Sequence, residues 1–107
     1  MDDIQITVKE VSERLARGEK LRLVDVREPW EFDLCRIPGA TLIPLGALPA
    51  NLHTLLDAGE IICYCHRGMR SLDAAAWLRQ QGVEGARSLA GGIERWSAEI
   101  DPAVPRY

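Results

Sequence analysis

The sequence predicts an α/β domain with three layers, in which a five-stranded, mostly parallel sheet is flanked by helices on both faces. Short apolar runs alternate along the 107 residues with segments of helical spacing, as in the βα units that build parallel sheets. The run at residues 60–64 is apolar enough to lie in the middle of a sheet covered on both faces. In sheets of this kind, ligands bind beyond the carboxyl ends of the strands.

Five strands are expected, and each is a short apolar or alternating run. Residues 4–6, Ile-Gln-Ile, alternate like a short edge strand, and Pro44 stops the third strand because proline cannot donate to a sheet. The predicted strands cover residues 4–6, 21–26, 41–43, 60–64 and 86–89.

The first two helices have recognisable starts. Thr7, followed three residues later by Glu10, is a capping box, and Gly18 supplies the stop. Pro29 begins a short second helix, where its missing N–H costs nothing. The first of these helices is expected to serve packing rather than chemistry.

The remaining helices are predicted from apolar spacing. Leucines at helical intervals place the third over residues 48–56, closed by Gly59, and a fourth is expected over residues 72–81. Gly91 and Gly92 introduce a last helical turn. The fourth helix is expected to bury Leu72, Ala75, Ala76 and either Trp77 or Leu78, and the last turn carries Ile93 and Trp96 on one face.

The chain is expected to form one domain over residues 1–107, with its core at about residues 4–98. With 47% hydrophobic residues, it is long enough for a single core and too short for two. Residues 99–107 carry no motif and are interpreted as an extended, proline-stiffened tail.

The net charge of −3 argues against a general nucleic-acid or anionic-membrane binder, because both partners select a basic face. No apolar stretch approaches the roughly 20 residues of a membrane-spanning helix. The acidic start Met1-Asp2-Asp3 does not resemble a secretory signal. Three cysteines are an odd number without framework spacing, which is typical of thiols kept free in a reducing compartment. We therefore expect a cytoplasmic protein that contacts no membrane and no nucleic acid.

Residues 65–71, Cys-His-Arg-Gly-Met-Arg-Ser, follow the central strand and lead into the fourth helix. A cysteine placed there faces the unpaired N–H groups of a helix's first turn and of a tight loop, which together form a cradle for negative charge. Helix N-termini and neighbouring cations favour the thiolate, which is the nucleophilic form of cysteine. Cys65 is therefore the candidate catalytic nucleophile.

The residues beside Cys65 are candidate ligands of an anion. Gly68 suits a position where the backbone takes a positive φ or approaches a ligand closely. Arg67 and Arg70 add fixed positive charge, and His66 adds to it when protonated. The predicted substrate-binding residues are His66, Arg67, Gly68, Met69 and Arg70, and no metal ligand is predicted.

The chain resembles single-domain rhodaneses, which are thiosulfate-type sulfurtransferase domains, from about residue 4 to residue 96. Four motifs carry the resemblance, in this order: Val24-Asp25-Val26-Arg27-Glu28 with Trp30-Glu31-Phe32, Ile37-Pro38-Gly39-Ala40, Tyr64-Cys65-His66-Arg67-Gly68-Met69-Arg70-Ser71, and Leu89-Ala90-Gly91-Gly92-Ile93 with Trp96. One departure is Cys35-Arg36, where related sequences often have Gly-His.

This resemblance implies a five-stranded parallel sheet between helical layers and a catalytic cysteine, Cys65, that carries sulfane sulfur as a persulfide. It also implies an active loop of six residues at positions 65–70. The donor is expected to be a small anion such as thiosulfate, and the acceptor cyanide or a thiol. A thioredoxin-like or other sulfur-accepting protein is a further expected partner, and no cofactor is expected.

Three other functions have to be weighed. A cysteine-dependent phosphatase of the same fold is associated with a loop one residue longer than residues 65–70. Non-catalytic binding or regulatory modules among the relatives commonly lack the cysteine that this chain keeps. A metal site built from Cys63, Cys65 and His66 lacks the second ligand pair of a structural zinc site.

Several reactive residue types are expected to be structural here. Cys63 lies in the central strand and is interpreted as inert packing, as is Cys35. Asp25, Arg27 and Glu28 are expected to form a network of charges and hydrogen bonds that holds strand ends.

Overall fold

A five-stranded sheet forms the centre of the protein, and all of its strands are parallel. The computed structural model describes residues 3–107; Met1 and Asp2, which belong to the acidic start of the sequence, lie outside the described residues. The strands are β1 (Gln5–Ile6), β2 (Arg22–Asp25), β3 (Thr41–Leu42), β4 (Ile61–Tyr64) and β5 (Ala86–Leu89), in the spatial order β1-β5-β4-β2-β3. The predicted α/β fold is confirmed, and β4 lies in the middle of the sheet.

Within residues 3–107 there are five α-helices, of which four connect consecutive strands and the fifth follows β5; a short 3-10 helix at Leu45–Ala47 precedes the third. The helices are α1 (Val8–Ala16), α2 (Pro29–Leu34), α3 (Leu48–Leu55), α4 (Met69–Gln80) and α5 (Gly92–Glu99). In this described part of the chain, no helix is both long and apolar enough to cross a lipid bilayer.

The side chains of β4 alternate between two apolar cores. Ile61 and Cys63 pack on the side of α3 and α4, whereas Ile62 and Tyr64 pack on the side of α1 and α5. All four side chains are fully buried. The central strand is therefore covered on both faces, as predicted, and its carboxyl end leads directly into Cys65.

The starts of α1 and α2 are fixed by side chains. Thr7 Oγ1 accepts a hydrogen bond from the Glu10 N–H at 3.1 Å, so Thr7 caps α1 as predicted. At the start of α2, the Glu28 N–H donates to Glu31 Oε1 at 3.0 Å. This second cap holds the Glu31 carboxylate in one orientation.

Two helices are longer than their apolar spacing indicates. α4 begins at Met69 rather than at Leu72, because the chain already turns into the helix at Gly68, whose φ is +106°. α5 has eight residues instead of the single turn that Ile93 and Trp96 indicate. Its first N–H groups find partners in the loop after β4, which supports a full helix there.

The buried face of α4 differs from the predicted one. The fully buried residues follow the i, i+3, i+4, i+7 spacing of an amphipathic helix, namely Ser71, Ala74, Ala75 and Leu78. The prediction is correct for Ala75 and Leu78 but wrong for Leu72 and Ala76, which are only partly buried. This face could not be predicted from apolar spacing, because its first residue is the polar Ser71, whose hydroxyl and N–H both contact the Cys65 sulfur.

Residues 99–107 do not form the extended tail that their prolines indicate. The chain turns where the Val104 N–H donates to the Asp101 carbonyl at 3.0 Å. Val104 is buried in the core between α1 and α5, and Ser97 Oγ of α5 donates to the Val104 carbonyl. The prediction of a plain extended end is wrong, because the apolar side chain of Val104 anchors this segment to the sheet's helical layer.

Asp25, the last residue of β2, forms an entirely buried ion pair with Arg27. The Arg27 guanidinium donates to the two carboxylate oxygens at 2.9 and 2.6 Å, and the Arg27 N–H donates to the same carboxylate at 3.0 Å. Arg27 Nη2 also donates to the Cys35 carbonyl at 2.5 Å. The pair therefore ties the end of β2 to the chain that follows α2, as predicted for Asp25 and Arg27, whereas Glu28 is exposed and caps the start of α2.

Replacing Asp25 by Ala leaves the Arg27 guanidinium buried without its carboxylate. We expect the free energy of unfolding to fall by about 3–5 kcal/mol, the usual cost of breaking a buried pair. Urea denaturation followed by tryptophan fluorescence measures this loss. The control is Asp33→Ala, which removes an exposed carboxylate of α2 and should change stability by no more than about 0.5 kcal/mol. Equal losses in the two variants would contradict the role given to the buried pair.

Candidate active site

Cys65 lies at the carboxyl end of β4, at the start of the loop that leads into α4. Its sulfur accepts hydrogen bonds from two backbone N–H groups, that of Gly68 at 3.1 Å and that of Ser71 at 3.3 Å. The residue is only 1% exposed, so these donors act on a sulfur shielded from water. The arrangement favours negative charge on Cys65 Sγ, as the sequence predicts for this position.

A pair of serine hydroxyls extends this hydrogen-bond network. Cys65 Sγ lies 3.4 Å from Ser71 Oγ, which in turn lies 2.7 Å from Ser88 Oγ of β5. Both serines are buried. Because a hydroxyl can accept from a thiol and donate to a thiolate, Ser71 can serve either protonation state of Cys65.

The loop is held from its other side by the N-terminus of α5. The Ile93 N–H donates to the Cys65 carbonyl at 2.9 Å, and the Glu94 N–H donates to the His66 carbonyl at 3.0 Å. The carbonyls at the start of the loop are therefore bound to α5, while N–H groups at its end bind the sulfur. This contact needs Gly92, since a Cβ there would lie 2.4 Å from the His66 carbonyl oxygen.

Arg70 forms a two-pronged ion pair with Glu31 of α2, with N–O distances of 2.7 and 3.0 Å. Glu31 is buried, and its hydrogen bonds with Arg70 are the main cause that lowers its pKa to about 2. The same pairing raises the pKa of Arg70. Arg70 therefore carries a fixed positive charge near Cys65, with its donors already engaged by a carboxylate.

Arg67 and Met69 are placed on the outside of the loop. Arg67 is exposed and lines an open cleft of about 290 Å³ together with Gly91, Glu94 and Arg95. Met69 is 77% exposed. Of the two predicted loop arginines, Arg67 is the one that faces the open cleft.

His66 lies under an aromatic ring that the sequence analysis does not place near the loop. Its imidazole stacks on the ring of Tyr107, with centroids 4.0 Å apart and planes inclined by 12°. His66 Nε2 lies 3.8 Å from Glu94 Oε1 and has no hydrogen-bond partner among residues 3–107. His66 is thus held by its neighbours and is not the solvated side chain of an open loop.

The structure brings five further residues to the site that were not among the predicted site residues: Glu31, Ser71, Ser88, Gly92 and Tyr107. A signal existed for Glu31, because it follows Glu28 by three residues at a helix start, the spacing of a capping box. No local pattern marks Tyr107, which reaches the site only through the packing of residues 101–107.

The other two cysteines have different surroundings. Cys63 is completely buried, and burial is the main cause that raises its pKa to about 12. Cys35 is also buried, and its sulfur lies 3.8 Å from Arg27 Nη1. Both settings support the interpretation of these thiols as packing residues. In the described residues, no group of three or more His, Cys, Asp or Glu side chains is arranged to hold a metal ion.

Comparison with known proteins gives matches over nearly the whole chain. Residues 7–99 match the family model of the rhodanese-like domain. The chain is 36% identical over 104 residues to the probable adenylyltransferase/sulfurtransferase MoeZ of Mycobacterium tuberculosis, covering 95% of this chain and 26% of MoeZ. It therefore spans about a quarter of the length of that relative.

Two further relatives match over nearly their full length. A sulfurtransferase of Allochromatium vinosum is 35% identical over 100 residues, with 94% of each chain covered. The solved structure of the human single-domain sulfurtransferase TSTD1 superposes with a TM-score of 0.76 at 27% identity, over 92% of this chain and 98% of that one.

Replacing Gly92 by Ala should displace the loop. The new Cβ would lie 2.4 Å from one carbonyl oxygen and 2.6 Å from another, at a φ of +61° that side chains rarely adopt. We expect a loss of about 1–3 kcal/mol in unfolding free energy, or more, and slower alkylation of Cys65 by iodoacetamide. Urea denaturation and peptide mass analysis measure the two effects.

Gly46→Ala is the matched control, since its Cβ meets open space and its φ is not positive. It should leave both quantities close to those of the unmodified protein. If the Gly92 and Gly46 variants behave alike, the close approach of α5 does not hold the loop.

Proposed function

The chain belongs to the family of rhodanese-like domains, and from that premise we propose that it is a sulfurtransferase that carries sulfane sulfur as a persulfide on Cys65. The donor is thiosulfate or a related small anion, and the acceptor is cyanide or a thiol. The observation that carries the proposal is the pair of N–H groups, from Gly68 and Ser71, that donate to Cys65 Sγ. Such donors stabilise a thiolate and, after transfer, a persulfide anion.

In the first half-reaction, the Cys65 thiolate attacks the outer sulfur of thiosulfate. A bond forms between Cys65 Sγ and that sulfur, the bond between the two donor sulfurs breaks, and its electron pair leaves with sulfite. Cys65 is then a persulfide anion, so the total charge is unchanged. No proton moves, and therefore no separate general base is needed.

In the second half-reaction, cyanide or an acceptor thiolate attacks the terminal sulfur of the persulfide. The bond to Cys65 Sγ breaks, and its electron pair returns to Cys65 as the thiolate. The product leaves as thiocyanate or as the persulfide of the acceptor. Because the sulfur is stored covalently between two displacements, ping-pong kinetics are expected.

The loop residues receive separate roles in this proposal. Arg67, exposed at the cleft, binds the sulfonate end of the donor. Arg70, held by Glu31, attracts the donor through its fixed charge. Met69 and His66 flank the loop as contacts for donor or acceptor.

The acceptor thiol belongs either to a small molecule or to a protein, including a thioredoxin-like or other sulfur-accepting protein. The names of the relatives support this class of partner, since MoeZ and the Allochromatium vinosum protein are both described as sulfurtransferases. Cys35, Cys63 and Cys65 are all free thiols, which supports a reducing compartment such as the cytoplasm.

Two alternatives are less well supported. A phosphatase needs an arginine that embraces a phosphoryl group, whereas Arg70 already binds Glu31 with two hydrogen bonds. A purely binding module has no use for the two N–H groups that converge on the Cys65 sulfur. In sulfur transfer, by contrast, the two N–H groups stabilise the charged sulfur of Cys65, and Arg70 can remain paired with Glu31 while its charge attracts the donor.

The intact mass of the protein after mixing with thiosulfate tests the proposal. We expect the mass to rise by one sulfur atom and to return to its first value when cyanide or dithiothreitol is added. Cys65→Ser should fold but lose this capacity entirely, because a serine hydroxyl cannot carry a persulfide. Cys63→Ser and Cys35→Ser are the matched controls and should keep it, since both thiols are buried packing residues.

Sulfur loading by a folded Cys65→Ser protein would show that the nucleophile is misassigned. Its disappearance in folded Cys63→Ser would show that two thiols work as a pair. Hydrolysis of aryl phosphates that depends on Cys65, without any persulfide, would favour the phosphatase.

Replacing Arg67 by Ala should chiefly weaken the use of thiosulfate. A lost charge-assisted contact to an anion costs on the order of 1.5–3 kcal/mol, which raises the apparent KM for thiosulfate about tenfold or more. Steady-state kinetics at fixed ionic strength measure this change. The control, Arg17→Ala, removes an exposed arginine that follows α1 and precedes the amino end of β2, whereas the active loop lies at the carboxyl end of β4, and it should leave KM unchanged. An unaltered KM in Arg67→Ala would remove Arg67 from the donor site.

A further inference from the structure

Residues 101–107 are fastened to α5 at several points. Val104 is buried, its carbonyl accepts from Ser97 Oγ, and its N–H donates to the Asp101 carbonyl. Arg106 pairs with Glu94 near the start of α5. These contacts hold the backbone on both sides of Pro105, and they place Tyr107 next to His66 of the active loop.

The Tyr107 hydroxyl bridges two charged groups from different parts of the chain. It accepts a hydrogen bond from Arg27 Nη1 at 3.0 Å and donates one to Glu31 Oε2 at 2.5 Å. The same Glu31 oxygen accepts from Arg70 Nη2 at 3.0 Å. One carboxylate oxygen therefore joins Tyr107 to the arginine at the end of the active loop.

The ring of Tyr107 contacts the other end of the loop. It stacks on the imidazole of His66, the residue after Cys65, with centroids 4.0 Å apart. Trp30 of α2 meets the same ring edge to face, with centroids 6.1 Å apart. The ring is thus in contact with both His66 and Trp30.

We propose that Tyr107 is a positioning residue of the active loop, which packs on His66 at the loop's start and acts through Glu31 on Arg70 at its end. Through these two contacts it keeps the Gly68 and Ser71 N–H groups aimed at the Cys65 sulfur. Its importance for sulfur transfer rests on the function proposed above, whereas its effect on the loop does not.

The protonation state of Tyr107 is consistent with this role. Burial and the neighbouring Glu31 raise its pKa to about 12, although Arg27 opposes them. The hydroxyl therefore stays protonated at neutral pH and can donate to Glu31 throughout. A hydrogen bond to a charged partner is among the stronger ones in proteins, so its removal should be measurable.

Two variants separate the hydroxyl from the ring. Tyr107→Phe keeps the stacking on His66 and removes both hydrogen bonds, whereas Tyr107→Ala removes the stacking as well. Residue-resolved amide hydrogen exchange compares residues 66–71 with the amides of β2 and β4. Quenched-flow mass analysis gives the rate at which thiosulfate converts Cys65 to the persulfide.

We expect exchange of the loop amides in Tyr107→Phe to be about threefold to tenfold faster, with the strand amides unchanged. Persulfide formation should slow by a similar factor, and Tyr107→Ala should exceed Tyr107→Phe in both effects. The control, Pro105→Ala, changes the same segment at an exposed residue and should match the unmodified protein in both measurements.

The proposal would be overturned if the loop amides of Tyr107→Phe exchange at the same rate as those of the unmodified protein. If Tyr107→Ala does not fold, the result for Tyr107→Phe alone decides. A parallel rise in the loop and strand amides would also overturn it, because that pattern reports general stability. If the unmodified protein takes up no sulfur, the proposed function fails, and the exchange data still decide the role of Tyr107.

Discussion

Two hydrogen bonds from the first turn of α5, to the carbonyls of Cys65 and His66, are the interaction on which the site depends. They hold the carbonyls of the loop's first two residues against α5, while the N–H groups of Gly68 and Ser71 donate to the sulfur. The strand order makes them possible, because β5 lies directly beside β4 and the turn into α5 therefore meets the loop into α4. Gly92 permits the approach, since any side chain there would collide with the loop backbone.

Most arginines of this mildly acidic protein pair with carboxylates, so much of their positive charge is compensated. The Asp25–Arg27 pair is fully buried, and the Glu31–Arg70 pair lies at the margin of the active loop. Tyr107 hydrogen-bonds to one member of each pair, so the two pairs form one connected network. In the function proposed above, the donor anion is attracted by Arg67, by the fixed charge of Arg70, and by the helix N-terminus and the loop amides.

The features predicted correctly are those with a local signal. β4 is apolar along its length, so the central strand was predictable. Residues 65–70 place Cys65, a turn glycine and two arginines in one short segment, so the position of this loop at the end of β4 was predictable as well, and the catalytic role of Cys65 stays a prediction. The features that were missed depend on contacts between distant residues. Tyr107 meets residues about 76 and 80 positions earlier in the chain, and neither periodicity nor a motif encodes that meeting. The start of α4 is set by the turn at Gly68, and its buried face begins at Ser71, a polar residue that hydrogen-bonds Cys65, so apolar spacing marks neither of them.

The surroundings of Cys63 and Cys65 differ in ways that bear on the reactivity proposed for the Cys65 thiol. Both sulfurs belong to the same apolar cluster on the α3 and α4 side of the sheet, and both residues are essentially buried. Burial, with a smaller contribution from the neighbouring Cys65, raises the pKa of Cys63 to about 12, which keeps this thiol protonated and unreactive at neutral pH. Cys65 differs in lying just past the strand, where the backbone has left the sheet and its next N–H groups turn back toward the sulfur. Cys65 therefore differs from Cys63 in its two backbone donors and in the helices that orient them, and this difference is the structural basis of the nucleophilic role proposed for Cys65.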